Sequence, residues 1–216
     1  MGLFDLFKRS ETISEKLEKI GYFNLIENEE KRKFLKSKID FDFNDDSNEL
    51  IGKGWLTFPN DFYISSVNKL VEYKNGSPTS DFRAFEVSAN YLFRGEFVDY
   101  LESAKVVFET NNLKLEFKDE IFDENSLQRI HHRITVNNKE YIIFSGQVLR
   151  DKIGQVMKKY LDSFREILND AVRQQNLNYK VILVTQPESV VLILLKTKKV
   201  EEFKKILAQT KNRLEE

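Results

Sequence analysis

Residues 190–195 are six consecutive aliphatic side chains, Val190, Val191, Leu192, Ile193, Leu194 and Leu195, and residues 181–184 form a second such run of four. A strand with one wet face alternates apolar and polar residues; these runs do not alternate, so both of their faces need cover. Neither approaches the ~18 apolar residues of a membrane helix. They read as the two central strands of a sheet, joined through Gln186, Pro187 and Glu188, with something packed on each side.

The flanking sequence supplies that cover. Leu149, Ile153, Val156, Met157, Tyr160, Phe164, Ile167, Leu168, Ala171 and Val172 recur at helical spacing, predicting a helix of about 40 Å at ~1.5 Å per residue. A last helix places Val200, Phe203, Ile206, Leu207 and Leu214 inward. Before the long helix, Ile130, His132, Ile134 and Val136 share one face of a strand. Asn137 and Asn138 suit a tight turn at positive φ, and residues 141–144 complete a hairpin. Leu113, Leu115 and Phe117 alternate with Lys114 and Glu116 as a half-buried strand, followed by an acidic loop.

The N-terminal half is richer in helix signals. Ser10 or Thr12 caps a short helix carrying Ile13, Leu17 and Ile20 and stopped by Gly21; Asn28 caps a second with Phe34, Leu35 and Ile39. Residues 55–58 read as a short strand ended by Pro59. Asp61 caps a helix through Tyr73, and Ser80 or Asp81 caps another carrying Ala84, Phe85, Ser88, Ala89, Leu92 and Phe93. Gly95 then separates that one from a helix with Phe97, Leu101, Ala104, Val107 and Phe108, making a helical hairpin. The expected fold is α+β: an antiparallel sheet of about five strands packed with a long helix, behind a helix-rich N-terminal half. Residues 1–216 are expected to form a single domain, with 1–54 as a helical appendage if it divides and 55–216 as the main body.

Several function classes lose their chemistry. The 216 residues contain no Cys, so there is no thiolate nucleophile, disulfide framework or cysteine-ligated metal, and a cytoplasmic location is expected. The net charge of −1 hides a dipole: residues 1–112 carry 15 Lys and Arg against 20 Asp and Glu, residues 113–216 carry 19 against 15. The basic residues Lys196, Lys198, Lys199, Lys204, Lys205, Lys211 and Arg213 lack interleaved aromatics for base stacking, so they read as a solvated helix face and no nucleic-acid partner is expected. Leu3, Phe4, Leu6 and Phe7, broken by Asp5, are too short a stretch for a signal-peptide core, and no membrane association is expected. Gly2 fits myristoylation, but Leu6 occupies the Ser/Thr position.

The candidate catalytic residues are few. His131 and His132 are the only histidines, and adjacent strand residues face opposite sides, so they cannot chelate together. His132 shares the apolar face and reads as a core histidine; His131 lies beside Arg133 and Thr135. Residues 40–49 look like a calcium loop until the spacing is set out: with Asp40, Asp42 and Asn44 at positions one, three and five, Asp45 stands where Gly is needed and Ile51 where a bidentate Glu is needed. Glu96, Asp99 and Glu102 read as a wet helix flank. Ser66 and Lys69 match Ser-x-x-Lys without its companion motifs. No catalytic, cofactor-binding or metal residue is assigned, and no cofactor is expected.

The order helix, strand, hairpin, long helix, hairpin, helix over residues 96–214 resembles that of class I type III secretion chaperones and chaperone-like regulatory domains. The resemblance implies a protein that binds another protein and catalyses nothing. Phe, Asn, Lys and Ile usage resembles that of an AT-rich bacterial genome, and the opening residues 1–9 are similar to the start of many small bacterial proteins of immunity-like or chaperone-like kind. The expectation is a cytoplasmic, non-catalytic protein-binding module, secretion-chaperone-like or immunity-like, present as a monomer or weak homodimer. The alternative is a small hydrolase using a carboxylate with Tyr, Arg or His in a cleft beside the hairpin strands; a third reading is a self-associating structural protein.

Overall fold

The computed structural model describes residues 11–45, 53–58, 62–64, 70–72, 83–186 and 189–215. The readings placed on residues 1–10, on residues 46–51, on Pro59, Asp61, Ser66, Lys69 and Tyr73, on Ser80 and Asp81, and on Pro187 and Glu188 lie outside them.

The fold is α+β. Helix α1 (Ile13–Lys19) begins at a capping box in which the Thr12 hydroxyl accepts from the Glu15 N–H and the Glu15 carboxylate accepts from the Thr12 N–H. Helix α2 (Glu29–Asn44) starts at Asn28, whose side chain accepts from the Lys31 N–H. It runs five residues past Ile39, so residues 40–44 of the acidic segment are helical and not loop. Asp40 accepts from the N–H and hydroxyl of Ser14 in α1, and Asp42 accepts from Thr57.

Two expected helices give way to strands. Residues 61–73 contain the strands β1 (Phe62–Ile64) and β2 (Leu70–Glu72), an antiparallel pair. The helix expected from Ser80 or Asp81 is instead β3 (Ala84–Val87) followed by the short α3 (Ala89–Phe93). Ala84 buries on one side of the sheet and Phe85 and Val87 on the other, which a single helix face could not do. Gly95, at φ 95°, then turns the chain into α4 (Phe97–Thr110). Residues 53–58 include no strand; Leu56 and Phe58 are buried, and the Leu56 backbone bonds to the side chain of Asn212.

A three-stranded antiparallel sheet follows: β4 (Phe117–Glu124), β5 (Arg129–Val136) and β6 (Lys139–Gln147) in that order. Leu113 and Leu115 are buried but precede the strand, and most of the expected acidic loop is β4 itself. Asn137 and Asn138 form the β5–β6 turn at φ 45° and 64°. Helix α5 (Ile153–Gln174) starts after a 3-10 turn at Arg150–Lys152, leaving Leu149 outside it and exposed.

The aliphatic runs are β7 (Tyr179–Thr185) and β8 (Val190–Lys196), the two inner strands of a four-stranded antiparallel sheet ordered β3, β8, β7, β9. Helix α6 (Val200–Leu207) ends earlier than expected; Leu214 belongs instead to β9 (Leu214–Glu215), paired opposite Val184. The strand residues thus divide between two main sheets. Val181, Leu183, Leu192 and Leu194 join α3, α4, α5 and the inner side of the three-stranded sheet in one apolar cluster. Ile182, Val184, Val191, Ile193 and Leu195 join α1, α2 and α6 in the other. Burying each such side chain stabilises the fold by about 1.5–3 kcal/mol, which is why unbroken aliphatic runs settle between two covered faces.

Candidate binding face and the two histidines

The three-stranded sheet has one face in the core and one in solvent. Cross-strand register sets out the solvent face in rows: Lys118, Thr135 and Glu140; then Ile121, Arg133 and Ile142; then Asp123, His131 and Ser145. In the middle row Ile121 is 41% exposed and Ile142 63% exposed, on either side of Arg133, which pairs with Glu140. Neither isoleucine stands out in the sequence as a surface residue. The signal was the triplet Ile142, Ile143 and Phe144: three consecutive apolar residues cannot all face inward on a regular strand. The register shift between His132 and Arg133 takes up the extra residue, burying Ile143 and Phe144 and leaving Ile142 outside.

His131 and His132 point to opposite faces. His131 is exposed, with Nδ1 3.3 Å from the Ser145 hydroxyl. It lines an open cavity of about 420 Å³ with Asp123, Asn125, Arg129, Ser145 and Gln147. Asp123, Asn125, Arg129, Ser145 and Gln147 are themselves exposed, so the cavity offers polar groups without excluding water.

His132 is completely buried. Its Nε2 lies 2.9 Å from Glu120 Oε1 and its Nδ1 3.3 Å from the Tyr160 hydroxyl. A carboxylate only accepts, so Nε2 donates to Glu120; in the neutral ring Nδ1 is then an acceptor for the Tyr160 hydroxyl. Phe97 and Phe122 set their rings edge-on at 5.5 and 5.0 Å. Glu120 reaches inward because β4 shifts register between Lys118 and Ile121, with Asp119 at φ 54°. Burial, with Glu124 and Glu120 nearby, raises the Tyr160 phenol above its ordinary range, keeping it a donor. Asp99 is raised by burial and then by Glu120, which separates it from the simple wet flank expected for Glu96, Asp99 and Glu102.

Two smaller grooves flank α5. One, of about 210 Å³, lies between α5 and β6, lined by Lys139, Tyr141, Ile142, Ile167, Asp170 and Arg173. Asp170 accepts from Lys139 and Tyr141, each at 2.5 Å, and from Arg173 at 3.1 Å, and these donors hold its carboxyl well below the usual carboxylate range. The other, of about 260 Å³, brings Arg165, Lys180 and Lys204 beside Glu166 and Asn169. In the basic stripe, Lys199 and Lys204 pair with Glu202 and Glu201, each at 2.9 Å. Among the described residues no helix is long and apolar enough to cross a membrane.

No family model, curated protein or solved structure matches the chain. What the fold and the face define is an α+β protein with a doubly covered four-stranded sheet and a second, three-stranded sheet open on one side.

Proposed function

We propose that the chain is a non-catalytic protein-binding module that engages a partner protein through the solvent face of the three-stranded sheet. The carrying observation is the row Ile121, Arg133, Ile142: two exposed isoleucines flanking a guanidinium. Apolar side chains beside Arg are the composition of interface centres, and the charged rows on either side make a polar rim. In its finer form the reading is a cytoplasmic bacterial protein of chaperone-like or immunity-like kind, working as one domain. The order of elements over residues 96–214 and the AT-rich composition support it.

The test is site-specific photocrosslinking in cells of the source organism, with a photoreactive residue at position 121, at position 142, or at Lys205 on α6 as control. A single discrete adduct at 121 and at 142, absent at 205, with the adduct at 142 lost on Ile121→Asp, is the expected result. Equal labelling at all three positions, or none, overturns the proposal.

A second reading, a small hydrolase, is favoured by one observation: His131 is bonded to Ser145 and stands opposite Asp123 in register. Against it, all three side chains are in water, where preorganised electrostatic stabilisation is weakest. Turnover of a small activated ester that disappears in Ser145→Ala would establish this reading.

A further inference from the structure

We infer that the partner is held by strand addition: an extended segment of the partner protein pairs with the free edge of β6 and drops one side chain into the groove between β6 and α5. This rests on the protein-binding reading and states how that binding is made.

The molecule treats its sheet edges unequally. Unpaired edge strands template the pairing of further chains, and folded proteins block them. β7 is closed by β9, by the Arg213 carbonyl and by the side chain of Asn169. β3 is only four residues long. β4 is broken by its register shift and carries Asp119, Glu120, Asp123 and Glu124. β1 and β2 have three residues each. β6 is nine residues long; its own extra residue falls at Ile143, which leaves Lys139 to Ile142 as a regular stretch, and among the described residues no hydrogen bond reaches its outer edge.

The hairpin fixes which groups are free. The two-residue turn makes Val136 and Lys139 the closing hydrogen-bonded pair, so the N–H and C=O of Glu140 point away from β5. Only an extended backbone matches that row of donors and acceptors, and this is how strand-adding domains hold their peptides. The groove beside it, about 210 Å³ with Tyr141, Ile142 and Ile167 as its apolar part, is below the ~300–1,000 Å³ of a small-molecule pocket. It suits one apolar side chain of a peptide whose neighbours alternate outward.

The probe is a blocked nine-residue peptide of alternating Thr and Val with one central Leu, titrated into the full chain and followed by amide chemical shifts and hydrogen exchange. Saturation is expected to slow exchange of the Glu140 amide, with shifts mapping to β6 and α5. Glu140→Ala keeps the N–H and Glu140→Pro removes it; the proline variant is expected to bind about tenfold more weakly than the alanine variant, the effect of one backbone hydrogen bond. Should circular dichroism show that Glu140→Pro is misfolded, a peptide N-methylated at its central residues replaces it, and must likewise bind about tenfold more weakly. Equal affinity of Ala and Pro variants, shifts confined to β4 or β7, or no binding of the peptide overturns strand addition. The crosslinks at positions 121 and 142 then still decide the protein-binding reading separately.

Discussion

The side-chain amide of Asn169, on α5, makes both hydrogen bonds of a neighbouring strand to Val181 of β7: Oδ1 accepts from the Val181 N–H at 2.9 Å and Nδ2 donates to its carbonyl at 3.0 Å. β9 pairs with β7 only at Leu183 and Val184, so Val181 would otherwise face an open edge. Asn212 treats Leu56 the same way, at 2.8 and 2.9 Å. Replacing Asn169 by Ala strands a buried donor and a buried acceptor together. The expected loss is about 2–4 kcal/mol in urea denaturation; a loss below ~0.5 kcal/mol would show that water replaces the amide at no cost.

The aliphatic strands should behave as core. Leu183 and Ile193 are fully buried on opposite faces of the four-stranded sheet. Either residue changed to Ala is expected to cost about 2–5 kcal/mol, the range for buried large-to-small changes. Losses under ~1 kcal/mol in both variants would contradict their central placement.

The adjacent histidines should separate cleanly. His131→Gln exchanges one exposed polar side chain for another, so its stability is expected within ±0.5 kcal/mol of the parent. His132→Gln disturbs a ring enclosed by Phe97, Phe122 and Tyr160 and bonded at both nitrogens; the expected loss is about 1–3 kcal/mol. Equal stabilities of the two variants would refute the difference in burial. The protein-binding reading adds that His131→Gln leaves partner capture intact.

Asp170 predicts a pH dependence. Its carboxyl is held below its unfolded value, first by Lys139 and then by Tyr141. A depressed folded value contributes stability above the unfolded pKa of ~3.9 and loses it as pH falls through the folded one. The stability gap between parent and Asp170→Asn is therefore expected to be constant from pH 5 to 7 and to shrink below about pH 4. A gap that widens on acidification would reverse the assignment.

Gly95 is expected to resist substitution. It sits at φ 95° between α3 and α4, and a Cβ there would come within 3.2 Å of the Phe122 ring. Gly95→Ala combines backbone strain with that contact, for an expected cost of about 1–3 kcal/mol in thermal or urea unfolding.

What this chain's sequence determines by itself is local and periodic. The caps at Thr12 and Asn28, the tight turn at Asn137 and Asn138, the long amphipathic helix and the two unalternating strands follow from residue chemistry within a few positions, and the structure contains each of them. The burial of His132 was legible too, from its place on an apolar strand face. Where two readings shared one pattern, tertiary contacts decided. Ala84 and Phe85 fit a helix as well as a strand until β8 offers its backbone, after which a strand buries both, together with Val87. β4 has too few apolar residues to declare itself, because it is an edge strand with one wet face and a register shift. The candidate binding face was invisible for the same reason: Ile121, Arg133 and Ile142 are far apart in sequence, and only the pairing of three strands, with its extra residue in β6, sets them in one row on the solvent side.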